Sequence, residues 1–282
     1  TQIDNSRVPK RKFLKKQDTT DARALFDKRV LQSERALEVL DEYSAEKSSL
    51  LAMFEGKQVI ERSVFDDVVK RAAEIEKKAA ELVGLGKLIS DNIASIQKME
   101  NRIESLAPWM EYDLPINFSG TVSTDLMIGT LPTQTTLEEI KKAIAEKQPD
   151  LNAYEIFVLS SESNVTYICG ICLKKDAVRF EDVLREMGFA RTTQSTNQTP
   201  AELKESLEVQ IEQLNKENED TAEKIKQYTD CRQDLKILAD YYRARSDKYR
   251  VIGDLSQSKS TFIVSGYVPE KAMPLLEERV VE

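Results

Sequence analysis

Two cysteines three residues apart are the first residues whose spacing could do chemistry. Cys169-Gly170-Ile171-Cys172 has the CxxC spacing of a redox pair or of half a zinc site. The pair lies inside Val165–Leu173, an apolar run that reads as a strand. Side chains alternate faces along a strand, so a separation of three sends the sulfurs to opposite faces. A zinc site would need further thiolates or imidazoles, and the chain has three cysteines and no histidine. The structural reading of the pair is therefore preferred. Cys231 has no recognisable base and reads as a small packing residue.

The absence of histidine removes the usual catalytic base and the commonest metal ligand. The glycine-rich spots, Val83-Gly84-Leu85-Gly86 and Gly129-Thr130-Leu131-Pro132, match neither phosphate-loop pattern. The many carboxylates fall on long helical patterns, where they read as solvated faces. No catalytic, cofactor-binding or metal-binding residue is assigned, no cofactor is expected, and the chain reads as a non-enzyme.

One cluster of charge stands out. Lys10, Arg11, Lys12, Lys15 and Lys16 reverse the sign of a chain whose net charge is −8. The overall balance argues against nucleic acid as a partner. The run itself reads either as a solvated start to a helix or as a contact with an anionic membrane surface.

The elements that would position these residues are mostly long helices. The chain has 32% charged and 7% aromatic residues, which suits solvated helices better than one large core. Thr199–Arg250 carries a thin apolar seam of Leu207, Ile211, Leu214, Ile225, Tyr228, Leu235, Leu238 and Tyr242. A single helix over it would be roughly 75 Å long, a strut. A helix over 20–54 starts at Thr19 or Thr20 as cap and ends before Gly56. Another opens at Ser63, with Ser63 and Asp66 resembling a capping box, and stops at Pro108. Its seam reads Ile75, Ala79, Leu82, Ile89, Ile93, Ile96 and Ile103, with a bend expected at Gly84 and Gly86. Packed together these form an antiparallel coil, in which helix 20–54 is either a third strand or part of a broken outward leg.

Residues 109–197 change character. A strand from Phe118 to Leu131, a helix capped by Thr135 or Thr136, a hairpin of 154–159 and 165–173, a helix over Ala177–Met187 ending at Gly188, and a strand over 189–193 follow in order. That order, β-α-β-β-α-β, is ferredoxin-like. After the strut, residues 261–268 read as one strand and 272–279 as a helix, too little for a core alone. The other extended piece surrounds Ile3, so both termini are expected to meet in a second, incomplete lobe.

The fold class is therefore α+β: a long antiparallel coiled-coil or helical-bundle rod joining two small α/β lobes. The terminal lobe takes 1–18 plus 254–282, the rod 19–108 plus 199–253, and the distal ferredoxin-like lobe 109–198. No apolar run approaches the ~20 residues of a membrane helix. The polar, basic start has no signal-peptide pattern, and a chain opening at Thr1 reads as a processed or excised piece.

This arrangement resembles the cytoplasmic half of subunit I of prokaryotic V/A-type rotary ATPases, the counterpart of subunit a of eukaryotic vacuolar ATPases. The residues that carry the resemblance are Gln2-Ile3-Asp4, Leu106-Ala107-Pro108-Trp109, Gly129-Thr130-Leu131-Pro132 and Phe262-Ile263-Val264-Ser265-Gly266-Tyr267-Val268-Pro269. The family often has Trp where Tyr267 stands. Its opening strand and helix, and its membrane half, have no counterpart here, so no catalytic or transport residue carries over. The resemblance implies a stator in a proton- or sodium-translocating complex, on the cytoplasmic side of the cell membrane. Its implied partners are peripheral-stalk heterodimers of the E/G type, a central-stalk contact and a C-terminal membrane domain of its own. A rival reading from another class is a regulatory coiled-coil protein whose ferredoxin-like, ACT-like lobe binds a small ligand.

Overall fold

The computed structural model describes residues 2–3, 15–45, 59–162, 164–258, 261–263 and 266–281. Two short strands, β1 (Gln2–Ile3) and β2 (Lys15–Lys16), precede α1 (Thr20–Tyr43), α2 (Arg62–Lys70) and α3 (Ala72–Leu106). A mixed segment follows: β3 (Thr124–Leu131), α4 (Leu137–Lys147), β4 (Tyr154–Glu162), β5 (Val165–Leu173), α5 (Ala177–Glu186) and β6 (Ala190–Arg191). The chain ends with α6 (Pro200–Lys226), α7 (Arg232–Asp254), β7 (Ser256–Gln257), β8 (Phe262–Ile263), β9 (Gly266–Tyr267) and α8 (Met273–Val281). The fold is α+β, in two compact units: Thr1–Ile89 with Glu219–Glu282, and Ser90–Asn218.

In the first unit α1 packs along α7 and against α3, so the extra helix is a third strand of a helical layer. Ala36, Leu40, Ile75, Ala79, Leu82, Ile225, Leu235 and Leu238 form its apolar centre. Aromatic and ionic contacts fasten α1: Phe26 lies 5.5 Å from Tyr249 between ring centroids, and Arg29 sits over Tyr242 while pairing with Glu76 at 3.3 Å. α1 ends at Tyr43, well short of residue 54, and Leu51 with Gly56 lie outside the described residues. Thr19 does precede α1, but its hydroxyl donates to the Tyr249 carbonyl at 2.9 Å instead of capping the helix. The box expected at Ser63 does not form; α2 opens one residue earlier behind Glu61.

The strut is two helices, not one. After Lys226 the chain leaves the α-helix, and Thr229–Cys231 makes a 3-10 turn. The Thr229 hydroxyl donates to the Lys226 carbonyl at 2.6 Å, a local bond that competes with helix continuation. The break also sets Arg232 facing the end of α1, where it meets the carbonyls of Leu40 and Ser44 and the Asp41 carboxylate. By contrast, α3 continues through Gly84 and Gly86 without interruption.

The ends of the chain do meet. β1 pairs with β9, β2 with β7, and β7 with β8, all antiparallel. The stretch expected as one strand over 261–268 thus supplies β8 to one sheet and β9 to another, with residues 264–265 outside the described set. β7 occupies Ser256–Gln257, ahead of the stretch expected as a strand.

The second unit holds a four-stranded antiparallel sheet in the order β4-β5-β3-β6. β3 begins at Thr124, six residues later than the pattern suggests, because Gly120 turns at φ 112° and bridges back to Asp125. Thr136 caps α4 in a reciprocal box with Glu139. α5 ends in a Schellman arrangement: the Gly188 amide donates to the Arg185 carbonyl at 2.9 Å and Phe189 to Leu184 at 2.9 Å. Gly188 is at φ 90°, which a residue with a Cβ rarely adopts.

Candidate functional site

The two cysteines mark the two faces of that sheet. Cys172 joins Met127, Ile156, Ile168, Phe180 and Leu184 under α4 and α5. Cys169 joins Trp109, Leu126, Ile128, Leu203 and Leu207 on the reverse side. Both are free and buried. Burial, reinforced by Asp113, pushes the Cys169 thiol up to about 11. Burial, reinforced by Asp125 and Asp176, does the same to Cys172. Neither is a ready nucleophile at neutral pH. Cys231 is half-buried, and burial raises its thiol as well. Among the described residues no cluster of His, Cys, Asp or Glu could hold a metal ion.

Ile156, Val158, Ile168 and Cys172 therefore share one face, the one packed by helices. The reverse face is covered by the chain itself: the C-terminal end of α3, the segment through Trp109, Tyr112 and Ile116, and the start of α6. Trp109 meets Tyr167 edge-on at 5.1 Å. α6 is held at its start by a capping box that the sequence reading missed: the Thr199 amide donates to Glu202 at 2.9 Å and the Glu202 amide to the Thr199 hydroxyl at 3.1 Å.

That cover stops short of one corner. On β4, Glu155 lies opposite Ile171 and Phe157 opposite Cys169; on β3, Leu126 lies opposite Ile171. Leu126 and Cys169 are buried, yet Phe157 is 54% exposed. Phe157, Leu126 and Ile171 floor a groove of about 390 Å³, walled by Glu111, Asp113 and Leu114. Its rim is acidic, carrying Glu111 and Asp113 and no basic side chain among its lining residues. Strand alternation puts Phe157 on the face opposite Ile156 and Val158, and no local pattern shows that this face is left partly uncovered there.

Of the basic run, Lys15 and Lys16 form β2 and are exposed, with Lys16 3.7 Å from Asp254. They belong to a strand rather than to a helix start. Lys10, Arg11 and Lys12 lie outside the described residues. No described helix is long and apolar enough to cross a membrane.

No family model matches the chain, and neither does any curated protein. A solved structure does: the crystal structure of the cytoplasmic N-terminal domain of subunit I, homolog of subunit a, of V-ATPase. The match has a TM-score of 0.51 at 15% identity and covers 92% of this chain and 82% of that one. At that identity the likeness is one of fold, and over nearly all its length this chain is similar in fold to that cytoplasmic domain.

Proposed function

We propose that the chain is a non-catalytic stator element of a proton- or sodium-translocating V/A-type ATPase. In this reading it links peripheral stalks to the membrane sector on the cytoplasmic side and resists rotor torque. The observation that carries the reading is the likeness of fold along 92% of the chain to a V-ATPase subunit domain. The division proposed with it is a terminal lobe (1–18 with 254–282), a coiled-coil rod (19–108 with 199–253) and a distal lobe (109–198). The strand order β4-β5-β3-β6 supports a ferredoxin-like distal lobe. The pairing of β1 with β9 supports a lobe built from both ends.

A stator needs stiffness and docking faces rather than reactive groups, and cysteines held as buried neutral thiols are consistent with that. The distal lobe is the proposed seat of an E/G-type peripheral-stalk heterodimer. Its core draws on Leu106, Leu203 and Leu207 from the flanking helices, so the whole chain is the right reagent. Calorimetric titration with that heterodimer should give a dissociation constant of about 1 μM. No binding, with the chain folded by circular dichroism, would remove the proposed role.

A further inference from the structure

We infer that the acidic groove beside Phe157 seats one face of an amphipathic helix from a protein partner, with an apolar side chain over Phe157 and Lys or Arg beside Glu111 and Asp113. The floor is made by side chains from three strands, Phe157, Ile171 and Leu126, and one wall by the segment 111–114. Phe157 is 54% exposed on a sheet face whose neighbouring Leu126 and Cys169 are buried, and burying its ring is favourable. The carboxylates of Glu111 and Asp113 line the rim, and Glu155 follows on the same face opposite Ile171. A complementary occupant is therefore basic beside its apolar stripe.

The groove selects a helix over an extended peptide. A strand would add to the outer edge of β4, which lies at the end of the sheet. β4 carries a register irregularity between Val158 and Ser160 in its pairing with β5, and an irregular edge strand is a poor template for a further strand. The open apolar surface is instead on the face, where a volume of about 390 Å³ is enough for a few side chains. Identifying the helix as part of a peripheral stalk rests on the stator reading. The chemistry of the groove does not.

The test uses the full chain and two kinds of probe. One is the E/G-type stalk heterodimer. The other is a synthetic helical peptide of about 18 residues with a leucine stripe and lysine flanks, paired with a glutamate-flanked version. Phe157→Ala should weaken binding of the heterodimer and of the lysine peptide about tenfold or more, with the melting temperature unchanged. The double variant Glu111→Lys/Asp113→Lys should do the same and abolish the preference for lysine flanks. Val178→Ala, at an exposed position on α5, should change nothing. Heterodimer binding unchanged in both groove variants overturns the groove assignment and leaves the stator reading standing. Phe157-dependent binding of the lysine peptide without binding of the heterodimer does the reverse. Binding of neither probe overturns the groove assignment. So does self-association of the chain that Phe157→Ala abolishes, because the occupant would then be a second copy.

Discussion

A buried guanidinium needs acceptors, and Arg232 finds them at a helix end. It is 5% exposed, and one of its nitrogens donates to the Leu40 carbonyl at 3.2 Å while also meeting that of Ser44. The Leu40 carbonyl also accepts from the Ser44 amide at 2.8 Å, so Arg232 adds a second donor there and reaches the carbonyl of Ser44, the residue that follows α1. Its carboxylate partner Asp41 is 61% exposed, so solvent screens much of that ion pair. The carbonyl contacts should therefore outweigh the charge pair. Arg232→Ala is expected to cost about 1–3 kcal/mol in urea unfolding, through loss of its bonds to the Leu40 and Ser44 carbonyls. Asp41→Ala is expected to cost under about 1 kcal/mol. Equal losses would show that the ion pair, not the helix end, is what Arg232 serves. Nothing in the pattern around Arg232 announces this role, because the acceptors are backbone groups far away in sequence. Cys169 and Cys172 were legible for the opposite reason: strand alternation is a local rule, and it places the sulfurs on different faces whatever packs there.

At the scale of elements, the sequence shows where helices lie better than where they stop. Local chemistry set the boundaries that were read well. Thr136 and Glu139 cap α4, Gly188 ends α5, and Pro108 falls in the 3-10 turn that follows α3. The boundaries that were missed depend on tertiary partners, as where Thr19 turns to Tyr249 and the α6–α7 break serves Arg232. The seam of α3 departs from its pattern for a similar reason. Ile93 is 55% exposed, while Asn92 is buried and donates to Glu217 at 3.0 Å and Asn218 at 2.9 Å. A polar side chain enters a seam when facing acceptors satisfy it, and sequence spacing cannot show the facing residues. The two glycines of α3 have opposite surroundings. A Cβ at Gly84 would meet nothing within 4 Å, whereas one at Gly86 would lie 2.6 Å from a methyl of Val39 on α1. Gly84→Ala should stabilise the first unit by about 0.5–1 kcal/mol. Gly86→Ala should destabilise it by about 1–3 kcal/mol, since the β-branched valine has few rotamers to retreat into. Thermal or urea unfolding of the single variants checks both signs, and stabilisation by both would contradict the close approach of α1.

For the whole molecule, composition and local motifs name no positive role. The order of parts carried the resemblance, and the fold likeness at 15% identity is its structural counterpart. The groove was not legible. Its floor comes from β3, β4 and β5 and its wall from the segment after α3, an assembly that exists only once the sheet order is set. The central claim, membership of a rotary ATPase as a stator, is tested most directly by affinity purification of the tagged protein from its own cells. Mass spectrometry of the intact assembly should then find V/A-type ATPase subunits, stalk heterodimers included, in fixed stoichiometry with it. Recovery without any of those subunits, together with a melting temperature raised by a free amino acid or nucleotide, would contradict the stator account and favour a regulatory lobe.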